Sequence, residues 1–379
     1  MTVLARSDRS IVAEWRRTVD WPIMVAIWLL LGIGLLLSLS VSPPAAARIG
    51  YGDPYHFVFR QIVFIVLTTG ILVSHSMLDP VWGRRWSAVV FFGALILMIG
   101  VLMFGHESKG AQRWLRYAGF SLQPSEFVKP ALVVLSGWLL AQRNLFPDGP
   151  WAIISFGLYS ATLSLLLLQP DVGQSVLLTS AFIVTFFVSG LPWRWAAGFT
   201  AGGAILAGIL FLTLPYVRYR ILSFISPSDY DTYQIDVALK AISNGGLFGV
   251  GPGEGTIKTT LPDAQTDFIY AVLSEEFGLA ASLGLLLLYG FIVARGILLA
   301  SQIEDPYPRA AATGLFALFG LHAAINIGVN ISLIPPKGMT LPLVSAGGSS
   351  LLGTGLTLGL ALALVRRKGA RLRFRRAYA

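Results

Sequence analysis

Apolar runs of about 17 to 25 residues recur along the chain, separated by polar turns, and their length sets the fold class before any single residue is weighed. A helix of about 20 apolar residues crosses the roughly 30 Å hydrocarbon of a bilayer. Ten such runs are legible, at 21–41, 58–75, 86–104, 124–142, 150–168, 172–190, 194–215, 267–294, 308–332 and 346–365. The alternating pattern of a membrane β-barrel is missing, so backbone polar groups have to be satisfied inside helices. The pattern predicts an all-α polytopic membrane protein with about ten transmembrane helices.

Most turns are short, so neighbouring helices pair as antiparallel hairpins in one membrane domain, 21–365, between a tail at 1–20 and a basic tail at 366–379. Residues 216–266 are the exception. This polar insertion between the seventh and eighth spans is long enough to be functional. It opens on Arg218 and Arg220, continues through Asp229, Asp231 and Asp236, and has helical spacing at 234–242. The run GGLFGVGPGEG at 245–255 follows, with Lys258 just beyond. Its backbone N–H groups suit either a diphosphate cradle or a turn-rich loop.

Composition agrees: 55% of residues are hydrophobic and 12% charged. Positive charge is retained on cytoplasmic loops. With the N-terminal tail inside, that side holds seventeen of the 28 Lys and Arg: Arg6, Arg9, Arg16, Arg17, Arg84, Arg85, Arg143, Arg194, Arg295, Arg309 and seven from Arg366 to Arg376. Ten spans then bring both tails to the cytoplasm. The net charge of +9 is concentrated in those tails, which points to anionic lipid headgroups and not to nucleic acid. The first apolar run is too long, and begins too late, for a cleaved signal. The chain has no Cys, which excludes disulfides and thiol chemistry.

Chemistry concentrates on the opposite, outer face. In LPDAQTDFIY, 261–270, Asp267 stands where a Pro-broken loop meets an apolar helix. It is either a helix cap, with Thr266, or an active group. Glu275 and Glu276 are expected two turns deeper in the eighth span, needing a partner or a proton. Along 108–133, Arg113 and Arg116 precede QPSE, and Glu126 and Lys129 share a helical face. That pair is either glue between helices or part of a cavity with Arg60, Gln169, Asp171, Lys337 and Asp267. Cations beside carboxylates suit an anionic diphosphate substrate. The four His are scattered without zinc-ligand spacing, and Ser349 and Ser350 have no acid–histidine pairing in sequence.

GAQRWL with QPSEFVK, QPDVG, YQ followed by GG-F-G-G-G, LPDAQTDFIYAVLSEEFG and PPKGMTLPLVSAGGSS occur in the order and spacing of the SEDS proteins. The resemblance runs from Trp21 to Arg366. It implies a ten-helix enzyme that polymerises peptidoglycan glycan strands from lipid II beside a class B penicillin-binding protein. Pro335, Lys337, Gly338, Thr340, Leu341 and Pro342 fit the P-x-K-G-x-T-L-P pattern of the division (FtsW) branch better than the elongation (RodA) branch. The division branch implies a place at the septum among divisome membrane proteins. Three positions depart from the family: Gln265 for His, Asp263 for Glu and Ala346 for Tyr.

By the same resemblance Asp267 is the catalytic residue. It would serve as general base for attack of an acceptor sugar 4-hydroxyl on a donor anomeric carbon, with inversion and an undecaprenyl diphosphate leaving group. Arg60, Arg113, Glu126, Lys129, Gln169, Asp171, Lys258 and Lys337 are the candidate substrate-binding residues. A divalent cation, Mg2+ or Mn2+, with Asp267 as its candidate ligand, would help the diphosphate leave; no organic cofactor is expected. A flippase for lipid-linked precursors is the competing reading of the same helices and charges.

Overall fold

The computed structural model describes residues 10–366 apart from 109–110, 118–119, 191, 214–217, 220–221, 223–231 and 337. Within them, the ten expected runs each form a helix. In chain order these are α2 (Trp21–Ile49), α3 (His56–Ser76), α4 (Pro80–Phe104), α5 (Ser125–Gln142), α6 (Trp151–Leu168), α7 (Val172–Val188), α8 (Trp193–Thr213), α10 (Ile269–Ser301), α11 (Pro306–Asn330) and α12 (Gly348–Val365). Two further helices lie outside the bundle, α1 (Ile11–Thr18) before it and α9 (Tyr233–Gly245) in the long insertion. Seven of the ten are long and apolar enough to cross a membrane by that measure alone. Of the other three, α7 is a residue short of that length and α5 carries Glu126 and Lys129.

α11 and α12 are buried nearly throughout, whereas α3, α4, α6 and α10 bury only one side. The first two are therefore the centre of the bundle, and the other four expose apolar side chains at its perimeter, as lipid requires. Close approach at the centre depends on small residues. At Gly353 a Cβ would lie 2.8 Å from the Glu126 carbonyl oxygen, so only glycine lets α12 lie against α5 there.

The two ends of the bundle are marked by polar contacts. At one end, Arg295 forms a two-pronged ion pair with Asp20, Trp15 Nε1 donates to Ser76 Oγ, and Arg366 reaches the Met77 carbonyl and Asp79. Both described ends of the chain thus lie on one face. Asp267 and the connections that carry the candidate chemistry lie on the other.

Three features differ from the sequence expectation. First, α2 does not stop near residue 41 but runs on through Pro43 and Pro44 to Ile49, its 29 residues being more than a bilayer crossing requires. Arg48 holds that extension by donating to the Leu261 and Thr259 carbonyls. Second, the connection before α5 contains strand structure in an otherwise helical chain: β1 (His106–Ser108), β2 (Ala111–Tyr117) and β3 (Phe120–Leu122) pair antiparallel in that order. Third, α10 is broken at Gly278, whose φ of 74° and ψ of −173° are not helical. Glu275 and Glu276 precede the break, so they sit at the Asp267 end of the span and not two turns inside it.

Candidate active site

The turn that carries Asp267 begins at Asp263, which has a φ of 53°. Left-handed backbone is open to Asp because its short side chain bonds locally. The Asp263 carbonyl then accepts the N–H groups of Thr266 and Asp267 at 3.0 Å each, winding one turn ahead of α10. The N-cap of α10 is Phe268, one residue later, and its side chain makes no cap bond. Instead Asn330 of α11 reaches across, its Oδ1 accepting the Ala271 N–H at 3.2 Å.

Two amides fix Asp267 from behind. Asn326 Nδ2 and Asn330 Nδ2 each donate to the Asp267 carbonyl at 2.9 Å, and Asn326 Nδ2 also donates to the Met339 carbonyl at 2.6 Å. One buried side chain therefore ties the Asp267 turn to the loop between α11 and α12. That loop adds contacts of its own: Ser345 Oγ donates to the Thr266 carbonyl, and the Ala346 N–H donates to the Gln265 carbonyl at 2.9 Å. The half-buried Asp267 carboxylate consequently lies over Gly338, where an added Cβ would be 3.7 Å from Oδ2. Lys337 lies outside the described residues; its neighbour Gly338 is at the carboxylate.

Three clusters hold most of the other sequence-predicted residues. Arg60 on α3 donates to Ser121 Oγ at 3.3 Å, and the Ser121 carbonyl accepts Ser349 Oγ at 3.0 Å. Ser349 Oγ also accepts the Gln123 N–H, and Gln123 Nε2 donates to Asp171 at 3.3 Å. Asp171 is 3.6 Å from Arg113, which also donates to the Gln169 and Pro170 carbonyls. Burial raises the Asp171 carboxyl above the ordinary carboxylate range, and the Arg113 guanidinium works against that rise. Gln169 donates to the Met98 carbonyl at 2.9 Å.

The third group is Glu126 with Lys129, 3.1 Å apart on α5. Gln174 of α7 closes the triangle, accepting from Lys129 and donating to Glu126 at 2.8 Å. His322 of α11 lines a small void beside this triangle, together with Pro342 of the last loop. Lys129 is only 2% exposed, and Glu126, Gln169 and Asp171 are as deeply buried. In place of the expected open, cation-rich cavity these charges are enclosed and paired with one another, because a buried charge without partners would cost several kcal/mol (about 3–5 where one partner is removed), while His322 Nε2 beside them is buried without a hydrogen-bond partner.

Lys258 departs furthest from expectation. It is 4% exposed and its Nζ binds Glu276, Ser40 Oγ and the Gly253 carbonyl. Glu275 accepts the N–H groups of Ile257 and Lys258 at 2.8 and 2.9 Å. The glycine run is likewise engaged: Gly249, Val250 and Gly251 N–H donate to the carbonyls of Gly245, Glu275 and Glu276. The Val250 and Gly251 amides thus face the broken α10 and the Gly249 amide faces α9, so these three are engaged within the fold. Of the insertion's early charges, Arg220, Asp229 and Asp231 lie outside the described residues, and Asp236 accepts from Thr232 Oγ1 at 2.7 Å.

Asn326, Asn330, His322, Gln123, Gln174 and Ser345 carry much of this geometry without having been singled out in the sequence. The spacing of His322, Asn326 and Asn330 at four-residue intervals on one face of α11 was the available signal.

The profile of a cell cycle protein family, that of FtsW, RodA and SpoVE, matches residues 22–369. Among curated relatives, the probable peptidoglycan glycosyltransferase FtsW of Caulobacter vibrioides is 47% identical over 366 residues, covering 96% of this chain and 93% of that one. The protein of the same description from Thiomicrospira cyclica is 35% identical, with 92% of each chain covered. Among solved structures, one described as "Structural coordination of polymerization and crosslinking by a peptidoglycan synthase complex" superposes with a TM-score of 0.76 at 28% identity, over 92% of this chain and 97% of that one. The rod shape determining protein RodA of Thermus thermophilus gives 0.67 at 28%, over 92% and 96%. A ten-helix bundle matched by that profile over residues 22–369, and by such relatives over nearly its full length, makes the chain a member of the FtsW, RodA and SpoVE family of cell cycle proteins.

Proposed function

We propose that the chain is a peptidoglycan glycosyltransferase that polymerises lipid II into glycan strands during cell division. The observation that carries the proposal is Asp267: a half-buried carboxylate at the outer face, its main chain clamped by Asn326 and Asn330, its side chain over the Gly338 loop. Such a group is placed to accept a proton from a hydroxyl at the membrane surface. The acceptor 4-hydroxyl oxygen bonds to the donor anomeric carbon, the bond from that carbon to the diphosphate oxygen breaks, and Asp267 takes the hydroxyl proton. One base with no partner nucleophile gives inversion.

The departing undecaprenyl diphosphate needs positive charge. Lys129 and Lys258 are already neutralised inside the fold, so that role falls to half-buried Arg60, exposed Arg116 and Lys337 beside Gly338. Among the described residues no three His, Asp or Glu side chains converge as a metal cage. A Mg2+ or Mn2+ would accordingly be held by Asp267 and the substrate phosphates, the usual arrangement for such ions. It would supply charge to the leaving group.

The division branch is supported by the Caulobacter and Thiomicrospira relatives and by the P-x-K-G-x-T-L-P loop. Place and partners follow from that assignment: the bacterial inner membrane at the septum, with both tails cytoplasmic and against anionic lipid, beside divisome membrane proteins and a class B penicillin-binding protein. The solved complex of polymerisation with crosslinking supports such a partner. The flippase reading has less support, since the polar groups inside the bundle bind one another. Purified protein with its transpeptidase partner, given lipid II in detergent, distinguishes the two. Glycan strands are expected; lipid II returned unchanged, alongside transport in vesicles, would favour the flippase.

A further inference from the structure

The break in α10 holds an apolar feature that the catalytic reading leaves unused. Residues 246–251 are threaded into the break. The Gly246 and Leu247 carbonyls accept the first N–H groups of the spanning segment, Leu279 at 2.9 Å and Ala280 at 3.1 Å, while Val250 and Gly251 N–H bind the carbonyls of Glu275 and Glu276. The loop backbone is thus fixed at the level of Gly278. Yet Leu247 is 65% and Phe248 84% exposed.

That level can be placed in the membrane. Glu276 is bonded to Ser40 on α2, and Arg295, near the far end of α10, is paired with Asp20. From Asp20 to Ser40 the helix rises about 30 Å at 1.5 Å per residue. This equals the hydrocarbon thickness, so Ser40 and Glu276 mark the boundary on the Asp267 side. Leu247 and Phe248 emerge there, at the start of a strip that continues through the exposed Leu279, Leu283 and Leu287 of the perimeter helix. An aqueous loop tip would carry polar residues, whereas large apolar side chains at this depth match acyl chains.

We infer that Leu247 and Phe248 insert into the acyl-chain region of the leaflet on the Asp267 side and anchor the broken helix to it. The anchor is connected to the chemistry. The helical turns between the break and Asp267 carry Glu275 and Glu276, which hold the 257–258 segment, so the loop that dips into lipid is part of the same rigid unit as the Asp267 turn.

The absence of cysteine makes the test direct. Phe248→Cys in the full chain, spin-labelled in nanodiscs of phosphatidylethanolamine and phosphatidylglycerol, is compared with Leu287→Cys on the perimeter and Glu254→Cys at the exposed end of the glycine run. Collisions with oxygen at 248 should exceed those with a water-soluble nickel complex several-fold, as at 287. Leu247→Cys serves as a second reporter in case the label disturbs Phe248. A label at both positions that meets the nickel complex as freely as at 254, or that meets neither reagent, overturns the proposal; the first result would make the patch a docking surface for protein.

Discussion

Asp267 and Lys129 are both charged groups in a lipid-embedded chain, and the fold treats them oppositely. Lys129 is closed in by Glu126 and Gln174, while Asp267 has its main chain fixed and its carboxylate left at the rim over Gly338. The fixing residue is Asn326, which binds the Asp267 and Met339 carbonyls at once. Asn326→Ala should lower turnover about 100-fold, the cost of roughly 1 Å of misplacement, with little change in KM for lipid II. Asn326→Gln, which keeps a donor, should recover part of it; equal loss in both variants, with falling thermal stability, would reduce Asn326 to a packing role. Sequence could point to Asp267 because a carboxylate at a membrane boundary demands a reason. It could not point to Asn326, since polar uncharged residues inside spans serve equally well as glue between helices. Gln265 and Ala346, two of the three departures from the family, meet through a main-chain hydrogen bond, so neither side-chain change breaks the clamp.

At the scale of elements, the break in α10 organises the Asp267 face. It was hidden in sequence, because Glu275, Glu276 and Phe277 continue a helical pattern and a single Gly278 inside it is tolerated in many helices. Lys258 is a related case: a lysine after a glycine run looks available to phosphate until the fold supplies Glu276. Breaking that pair leaves a buried charge. Lys258→Met should destabilise by about 3–5 kcal/mol, and adding Glu276→Leu should restore most of the loss. Thermal unfolding in detergent checks this; a double variant no better than the single one would contradict it. Gly249 has a φ of 86°, and a Cβ there would lie 2.1 Å from the Glu276 carbonyl oxygen. Gly249→Ala should therefore cost about 1–3 kcal/mol or more through strain, with faster proteolysis of the 245–258 segment as the readout.

Across the whole molecule, hydropathy alone located every helix of the bundle, because a bilayer leaves few alternatives to an apolar helix of that length. The small sheet at 106–122 and the extension of α2 escaped it, since both lie beyond the hydrocarbon where that constraint lapses. Sidedness rests on charge and can be tested with single cysteines. Glu254→Cys should react with an impermeant maleimide in intact spheroplasts and Asp148→Cys should not; the reverse would invert the topology. The central claim is that Asp267 is the base for glycan polymerisation. Its most direct test is lipid II polymerisation by purified Asp267→Asn with the transpeptidase partner: no glycan strands should form, although the variant inserts, folds and binds its partner as the parent does. Strands formed at the parent rate would contradict the account.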